Sequence, residues 1–220
     1  QTWWRRIYFT RSQNSSGVSG KTLKRKRLCF FDVGANVGKY SEQFLKVFPN
    51  VRVIAFEPSE TAHVILRGKF FGDNNVTLEK SALGSSEGRA ALFYDTEGSG
   101  LASLTKRNLD HIDVTFKKSE IVQVTTTKMW IDENQLIPSF VKIDVEGHEL
   151  EVLTGFGDYL FRIPLIQFEF GGCNIDTRTF FKDFWILLNP QFDLYRISVH
   201  GAVKISIYSE NEESCMTSNF

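Results

Sequence analysis

Apolar residues along this chain fall into short unbroken runs separated by stretches with helical spacing. Leu28–Val33 and Val51–Phe56 are runs of the first kind, closed by Gly34 and by Glu57-Pro58. Such runs suit parallel strands buried on both faces. Between them, Lys39–Phe48 carries Tyr40, Phe44, Leu45 and Phe48 at helical spacing before Pro49 stops it. Ser59 is placed to cap a helix running to about Phe71, and Val76–Leu83 reads as a third strand. From Gly84 to Thr126 the pattern changes. Ala90–Tyr94 and Ile121–Thr126 are strand-like and Gly88, Gly98 and Gly100 punctuate them, which predicts a hairpin excursion. The alternation then resumes with a strand at Phe140–Val145, a helix at His148–Phe156, a strand at Leu165–Phe170 and a helix at Thr179–Leu188. Strands at Phe192–Ser198 and Val203–Tyr208 lie close enough for a closing antiparallel hairpin. Strands alternating with helices predict an α/β fold, a mostly parallel sheet with helices on both faces.

The 220 residues, 42% hydrophobic, are enough for one domain with a buried core. No apolar run approaches the ~18–20 residues of a membrane span. The formal net charge of zero hides an asymmetry: residues 1–31 hold eight of the 26 basic residues and no acid, leaving 18 basic against 26 acidic in the remainder. Residues 1–27 therefore read as a basic arm and linker, small and polar over 10–20, and residues 28–220 as an acidic folded body. The arm suits an acidic surface or a solvated tail. Most of the 20 phenylalanines fall at strand and helix core positions. Cys29, Cys173 and Cys215 form no C-x-x-C pair and no zinc spacing, so no metal is expected and a reduced, cytoplasmic setting is.

The chemistry collects at strand ends, where open parallel sheets bind ligands. After the first strand comes Asp32-Val-Gly34-Ala35-Asn36-Val-Gly38. Its glycines allow a sharp turn and a close ligand approach beside a helix N-terminus. Asn36 and Lys39 stand where a dinucleotide fingerprint needs glycine, which disfavours a pyrophosphate cradle. Glu57, followed by Pro58, ends the second strand 23 residues after Gly34, where nucleoside-binding folds keep the acid that accepts the ribose hydroxyls. Ser81 and Ala82 leave the third strand with side chains small enough for a flat ring to lie against the backbone. Asp144 ends the fourth strand, and Glu146 and His148 open the loop and helix beyond it. Glu149 and Glu151 suit a helix N-terminus electrostatically.

Taken together, Asp32–Gly38, Phe56-Glu57-Pro58, Ser81-Ala-Leu-Gly84, Lys142-Ile-Asp-Val-Glu-Gly-His-Glu149 and Gln167-Phe-Glu-Phe-Gly171 resemble the FkbM family of S-adenosylmethionine-dependent methyltransferases. The resemblance runs from about Leu28 to the C-terminus and leaves the arm outside. It implies a Rossmann-like, seven-stranded class I methyltransferase sheet, with S-adenosylmethionine as cofactor. The glycine loop would lie at the methionine moiety and Glu57 at the ribose. Thr217–Phe220 looks like the opening of the family's last strand, which would be cut short here.

The resemblance also implies O-methylation of a hydroxyl on a sugar or other small metabolite. The candidates for orienting the acceptor or removing its proton are Asp144, Glu146, His148 and Glu169. Gly98–Ser103 and Gly171–Asp176 are the candidate acceptor loops. Methylation of RNA through the basic arm is a competing reading, as is a cofactor-binding module without catalysis. The acidic body and the lack of an Asn-Pro-Pro-aromatic motif disfavour nucleic acid, and all the key acids are in place for an enzyme.

Overall fold

The computed structural model describes residues 28–220, so the expectations for the basic arm lie outside the described residues. Two parallel strands, β1 (Cys29–Val33) and β2 (Arg52–Phe56), lie side by side, joined by helix α1 (Lys39–Val47). All five residues of β1 are buried, as a run with apolar neighbours on both faces requires. Helix α2 (Glu60–Lys69) leads to β3 (Val76–Glu79) on the far side of β2. Ser59 stands at the N-cap of α2 without a side-chain capping bond; its main-chain N–H is committed to Glu57 instead.

The expected third strand breaks in two. Lys80-Ser81 leaves the main sheet, and β4 (Ala82–Leu83) joins a second, three-stranded sheet with β5 (Gly88–Tyr94) and β6 (Lys118–Thr125), in the order β4-β6-β5. That small sheet is the excursion: β5 and β6 form an antiparallel pair, and β4 runs parallel to β6. A helix not anticipated from the apolar pattern follows, α3 (Thr127–Asn134), where Met129 donates its main-chain N–H to the Oγ1 of the Thr126 cap at 3.1 Å.

The main sheet continues with β7 (Phe140–Ile143), helix α4 (Glu149–Thr154), β8 (Ile166–Phe170), helices α5 (Cys173–Thr177) and α6 (Phe181–Leu188), and the antiparallel pair β9 (Leu194–Ser198) and β10 (Gly201–Ile205). Helix α6 begins two residues later than expected. Its first N–H groups are satisfied by Glu213, which accepts from Phe181 and Lys182, while Asp183 accepts from Phe180. Strand β11 (Ser218–Asn219) slots antiparallel between β8 and β9. The sheet order is β10-β9-β11-β8-β7-β1-β2-β3. It has eight strands rather than seven, because β10 pairs on the outside of β9 and adds an edge.

Cores lie on both faces. Phe31, Phe56, Trp130, Val141 and Val152 belong to one, and Phe30, Phe44, Val53 and Leu66 to the other. The carboxyl ends of β1, β2 and β7 open into one cavity. Among the described residues, no helix is long and apolar enough to cross a membrane.

Candidate active site

The cavity, of about 740 Å³, sits within the range usual for small-molecule sites. Gly34, Ala35 and Asn36 form one wall, and the fold leaves little choice at the first of these. Gly34 has φ +79, and a Cβ there would lie 1.9 Å from the main-chain oxygen of Asp144. Only glycine lets the β1 loop rest directly on the β7 loop. The main-chain N–H groups of Gly34 and Ala35 both donate to Phe56 O, fastening this loop to the end of β2.

Glu57 and Pro58 continue the wall, with Ser81 and Ala82 beyond them. The Glu57 carboxylate is buried, and accepts the main-chain N–H of Asn36 on Oε2 at 2.7 Å and that of Ser59 on Oε1 at 2.9 Å. Each oxygen keeps a second lone pair. Burial pushes its pKa up to about 7, against those two hydrogen bonds, which pull it down. Phe56, Leu83, Leu92, Ala102 and Leu104 give this end an apolar lining. A buried diol acceptor, a glycine loop and an apolar slot fit a nucleoside whose sugar hydroxyls donate and whose base is flat.

Asp144, Glu146 and His148 line the opposite side with Tyr40, Lys142, Gln167 and Asn219. Lys142 Nζ lies 3.0 Å from Asp144 and 3.8 Å from Asp32. Burial works to lower the Lys142 pKa, but the two carboxylates hold it above its ordinary value. Tyr40 donates its hydroxyl to Gln167 Oε1 at 2.9 Å, and Gln167 donates to Asn219 Oδ1 at 2.7 Å, tying three separate elements into one polar strip. The His148 ring shares a hydrogen bond with Thr105 at 2.9 Å, and burial lowers its pKa against the opposing pull of Glu151. The imidazole is therefore neutral at pH 7.

Three expected site residues are off this wall. Asp32 is fully buried beneath the loop, where Ser41 donates to its Oδ2 at 2.6 Å; it anchors α1 and Lys142. Gly38, with φ +73, caps α1 and faces Leu66 and Phe70, either of which a Cβ would strike. Glu169 does not line the cavity, although its carboxylate lies within 4.8 Å of those of Asp144 and Glu146, and burial together with Asp144, Glu146 and Glu149 pushes its pKa up to about 8. Of the two expected acceptor loops, Gly98, Ser99, Gly100 and Ala102 border the cavity, whereas Gly171–Asp176 does not. That segment is instead occupied in starting α5.

Two residues have roles that the chain pattern did not show: Glu149, expected only to suit a helix N-terminus, and Arg107. Glu149 is fully buried, and its carboxylate accepts the main-chain N–H groups of Val145 at 2.9 Å and Gly147 at 3.1 Å. It staples the loop that displays Glu146 and His148, and burial pushes its pKa up to about 7. Arg107, from the excursion, pairs with both Glu146 and Asp176. Nothing in its local sequence marks it, since its partners are 39 and 69 residues away.

The family described as the methyltransferase FkbM domain matches residues 32–193. A curated relative, methyltransferase sdnD of Sordaria araneosa, is 27% identical over 151 residues, covering 56% of this chain and 58% of the relative. The match thus spans little more than half the length of that protein. A solved structure, precorrin-6y C5,15-methyltransferase from Geobacter metallireducens GS-15, aligns over 82% of this chain and 74% of its own at 14% identity and a TM-score of 0.40.

Proposed function

The chain belongs to the FkbM methyltransferase domain family, and from that premise we propose that it is an S-adenosylmethionine-dependent O-methyltransferase acting on a hydroxyl of a sugar or comparable small metabolite. The observation that carries the reading is the single cavity in which Gly34–Asn36 and Glu57 face Asp144, Glu146 and His148. Glu57 would hold the ribose hydroxyls, Ser81 and Ala82 would flank the base, and Gly34–Asn36 would meet the amino-acid end. When bound, this cofactor supplies a methyl group on a sulfonium, already activated for in-line displacement.

The protein's own work is then to orient the acceptor and relieve it of a proton. Asp144 and Glu146 are hydrogen-bond acceptors on the cavity wall, suited to aiming a hydroxyl. His148, held neutral by burial, is suited to take the proton on its ring nitrogen. Glu169, outside the cavity lining and largely protonated at neutral pH, is the weaker candidate for the base. Polar and uncharged groups, Tyr40, Gln43, Gln167 and Asn219, make up much of the acceptor side, which favours a neutral hydroxylated partner. Three free thiols favour a reducing compartment, the cytoplasm, as the setting.

Calorimetric titration with S-adenosylmethionine and S-adenosylhomocysteine tests the cofactor assignment, and both should bind at a single site. A panel of sugars and small alcohols with radiolabelled methyl donor then tests the reaction. Failure of the folded protein to bind either nucleoside would reject the reading at its first step.

A further inference from the structure

Glu146 is the most crowded charge on the acceptor side. Its side-chain oxygen lies in a group with those of Asp144 and Glu169, all within 4.8 Å of one another. Its backbone adopts φ 55, which a non-glycine residue keeps only when the surroundings insist, and Gly147 follows at φ +107. The surroundings that insist come from the excursion. Ser103 donates its hydroxyl to the main-chain oxygen of Glu146 at 2.8 Å, and Thr105 hydrogen-bonds the neighbouring His148. Arg107 completes the set: its side chain is only 7% exposed, it pairs through Nη1 with Glu146, and its Nε donates to Asp176 at 3.2 Å. Glu146 borders the cavity, while Arg107 stands behind it.

We propose that Arg107 is a positioning residue that keeps Glu146 ionised and aimed into the acceptor side of the cavity. The inference rests on the methyl-transfer reading for what Glu146 then does, but its physical content does not. The groups around Glu146 are Arg107 from the excursion, Lys142 from β7, Asp144 just beyond that strand and Glu169 from β8, while Asp176 of α5 shares the Arg107 guanidinium. Burial raises the Glu146 pKa, Arg107 is the largest opposing influence, and Asp144 adds to the rise. Lys142 is already committed to Asp144 and Asp32. With Glu169 already largely protonated at neutral pH, removing Arg107 leaves Glu146 half-buried beside Asp144 without its main counter-charge, and taking up a proton is the cheapest relief. A protonated Glu146 would donate a hydrogen bond where an acceptor hydroxyl needs to donate its own. A planar guanidinium also bridges two carboxylates in fixed directions, which an ammonium does not.

The test is a carboxyl-13C NMR titration of glutamate-labelled full-length protein, with the Glu146 signal assigned through Glu146→Gln. In Arg107→Gln the Glu146 midpoint should move up by about one pH unit, a tenfold gain in proton affinity. Arg107→Lys, which keeps the charge and the bulk, should show a smaller upward shift and serves if the glutamine variant does not fold. S-adenosylhomocysteine affinity should stay within about twofold in both, because Glu57 and Gly34–Asn36 are untouched. An unchanged midpoint in both variants overturns the proposal, as does a midpoint that shifts only together with loss of nucleoside binding. Wild-type protein that binds no nucleoside yet shows the Glu146 shift would reject the methyltransferase reading while upholding the role of Arg107.

Discussion

At the scale of single residues, Glu57 and Gly34 carry the most informative chemistry. Burial holds the Glu57 pKa at about 7, so a good part of it is protonated just below neutrality. On the proposed reading the ribose hydroxyls would donate to the ionised form, so binding would select that form and release a proton. S-adenosylhomocysteine should therefore bind more weakly as pH falls from 8 to 6, approaching tenfold per unit below the midpoint. Glu57→Gln should bind weakly and lack that pH dependence, which calorimetry at four pH values reads directly. Glu57→Ala removes two charge-assisted hydrogen bonds, on the order of 3 kcal/mol and more than a hundredfold in Kd. Gly34→Ala faces a different penalty. The left-handed backbone alone costs about 1–2 kcal/mol in an L-residue, and the new Cβ would overlap Asp144 O at 1.9 Å. A lowered thermal midpoint together with lost nucleoside binding is the expected outcome, since loop and wall are the same atoms.

At the scale of elements, the loop between β7 and α4 is held in shape by a residue that never reaches the ligand. Glu149 satisfies the N–H groups of Val145 and Gly147 from inside the protein. Glu149→Gln keeps one oxygen but turns an NH₂ group toward a main-chain donor. That should cost about 1–3 kcal/mol, or roughly 2–10 °C of thermal midpoint by scanning calorimetry in a domain of this size. The elements that bracket this loop were legible in the chain. Unbroken apolar runs at β1, β2 and β7, each closed by a glycine or an acid, carry their burial in their own composition. Gly34, Glu57, Asp144, Glu146 and His148 were legible for the same reason, because strand ends face the cleft. Asp32 was misjudged because position at a strand end does not tell whether a side chain points to the cleft or beneath it. The break after Glu79 and the helix α3 were not legible. Lys80-Ser81 interrupts an apolar run only slightly, and which sheet Ala82 joins depends on β6, some 40 residues away. Arg107 has no signal of its own, since an arginine in a loop becomes a ligand-side counter-charge only when folding delivers Glu146 to it.

At the scale of the whole molecule, the acids gathered on one side of the sheet set how stability responds to pH. Glu57 and Glu149 are pushed up to about 7 and Glu169 to about 8. The native state therefore binds more protons than the unfolded chain between about pH 4.5 and 8. Stability from these groups is full below their unfolded pKa and is lost as pH rises through the folded values. The thermal midpoint without ligand should accordingly fall between pH 6 and pH 8.5, and Glu149→Gln should flatten that slope. The end of the chain supplies the other global constraint. Strand β11 separates β8 from β9, and its neighbour Phe220 is 6% exposed, with ring centroids 5.4 Å from Phe168 and 4.7 Å from Phe181. Phe220 also exchanges main-chain hydrogen bonds with Phe168, and the Arg196 guanidinium lies 4.6 Å from its ring centroid. Phe220→Ala should cost about 3–5 kcal/mol, as for a phenylalanine truncated in a packed core. Asn219 reaches the cavity from the same two-residue strand, so loosening this end should disturb the polar strip of Tyr40 and Gln167 as well. The proposed nucleoside wall, built from β1 and β2, three and four strands away, should be spared. Below the lowered melting temperature, Phe220→Ala should therefore bind S-adenosylhomocysteine nearly as wild type while transferring methyl groups poorly; equal losses of both would mean that the sheet responds as one unit.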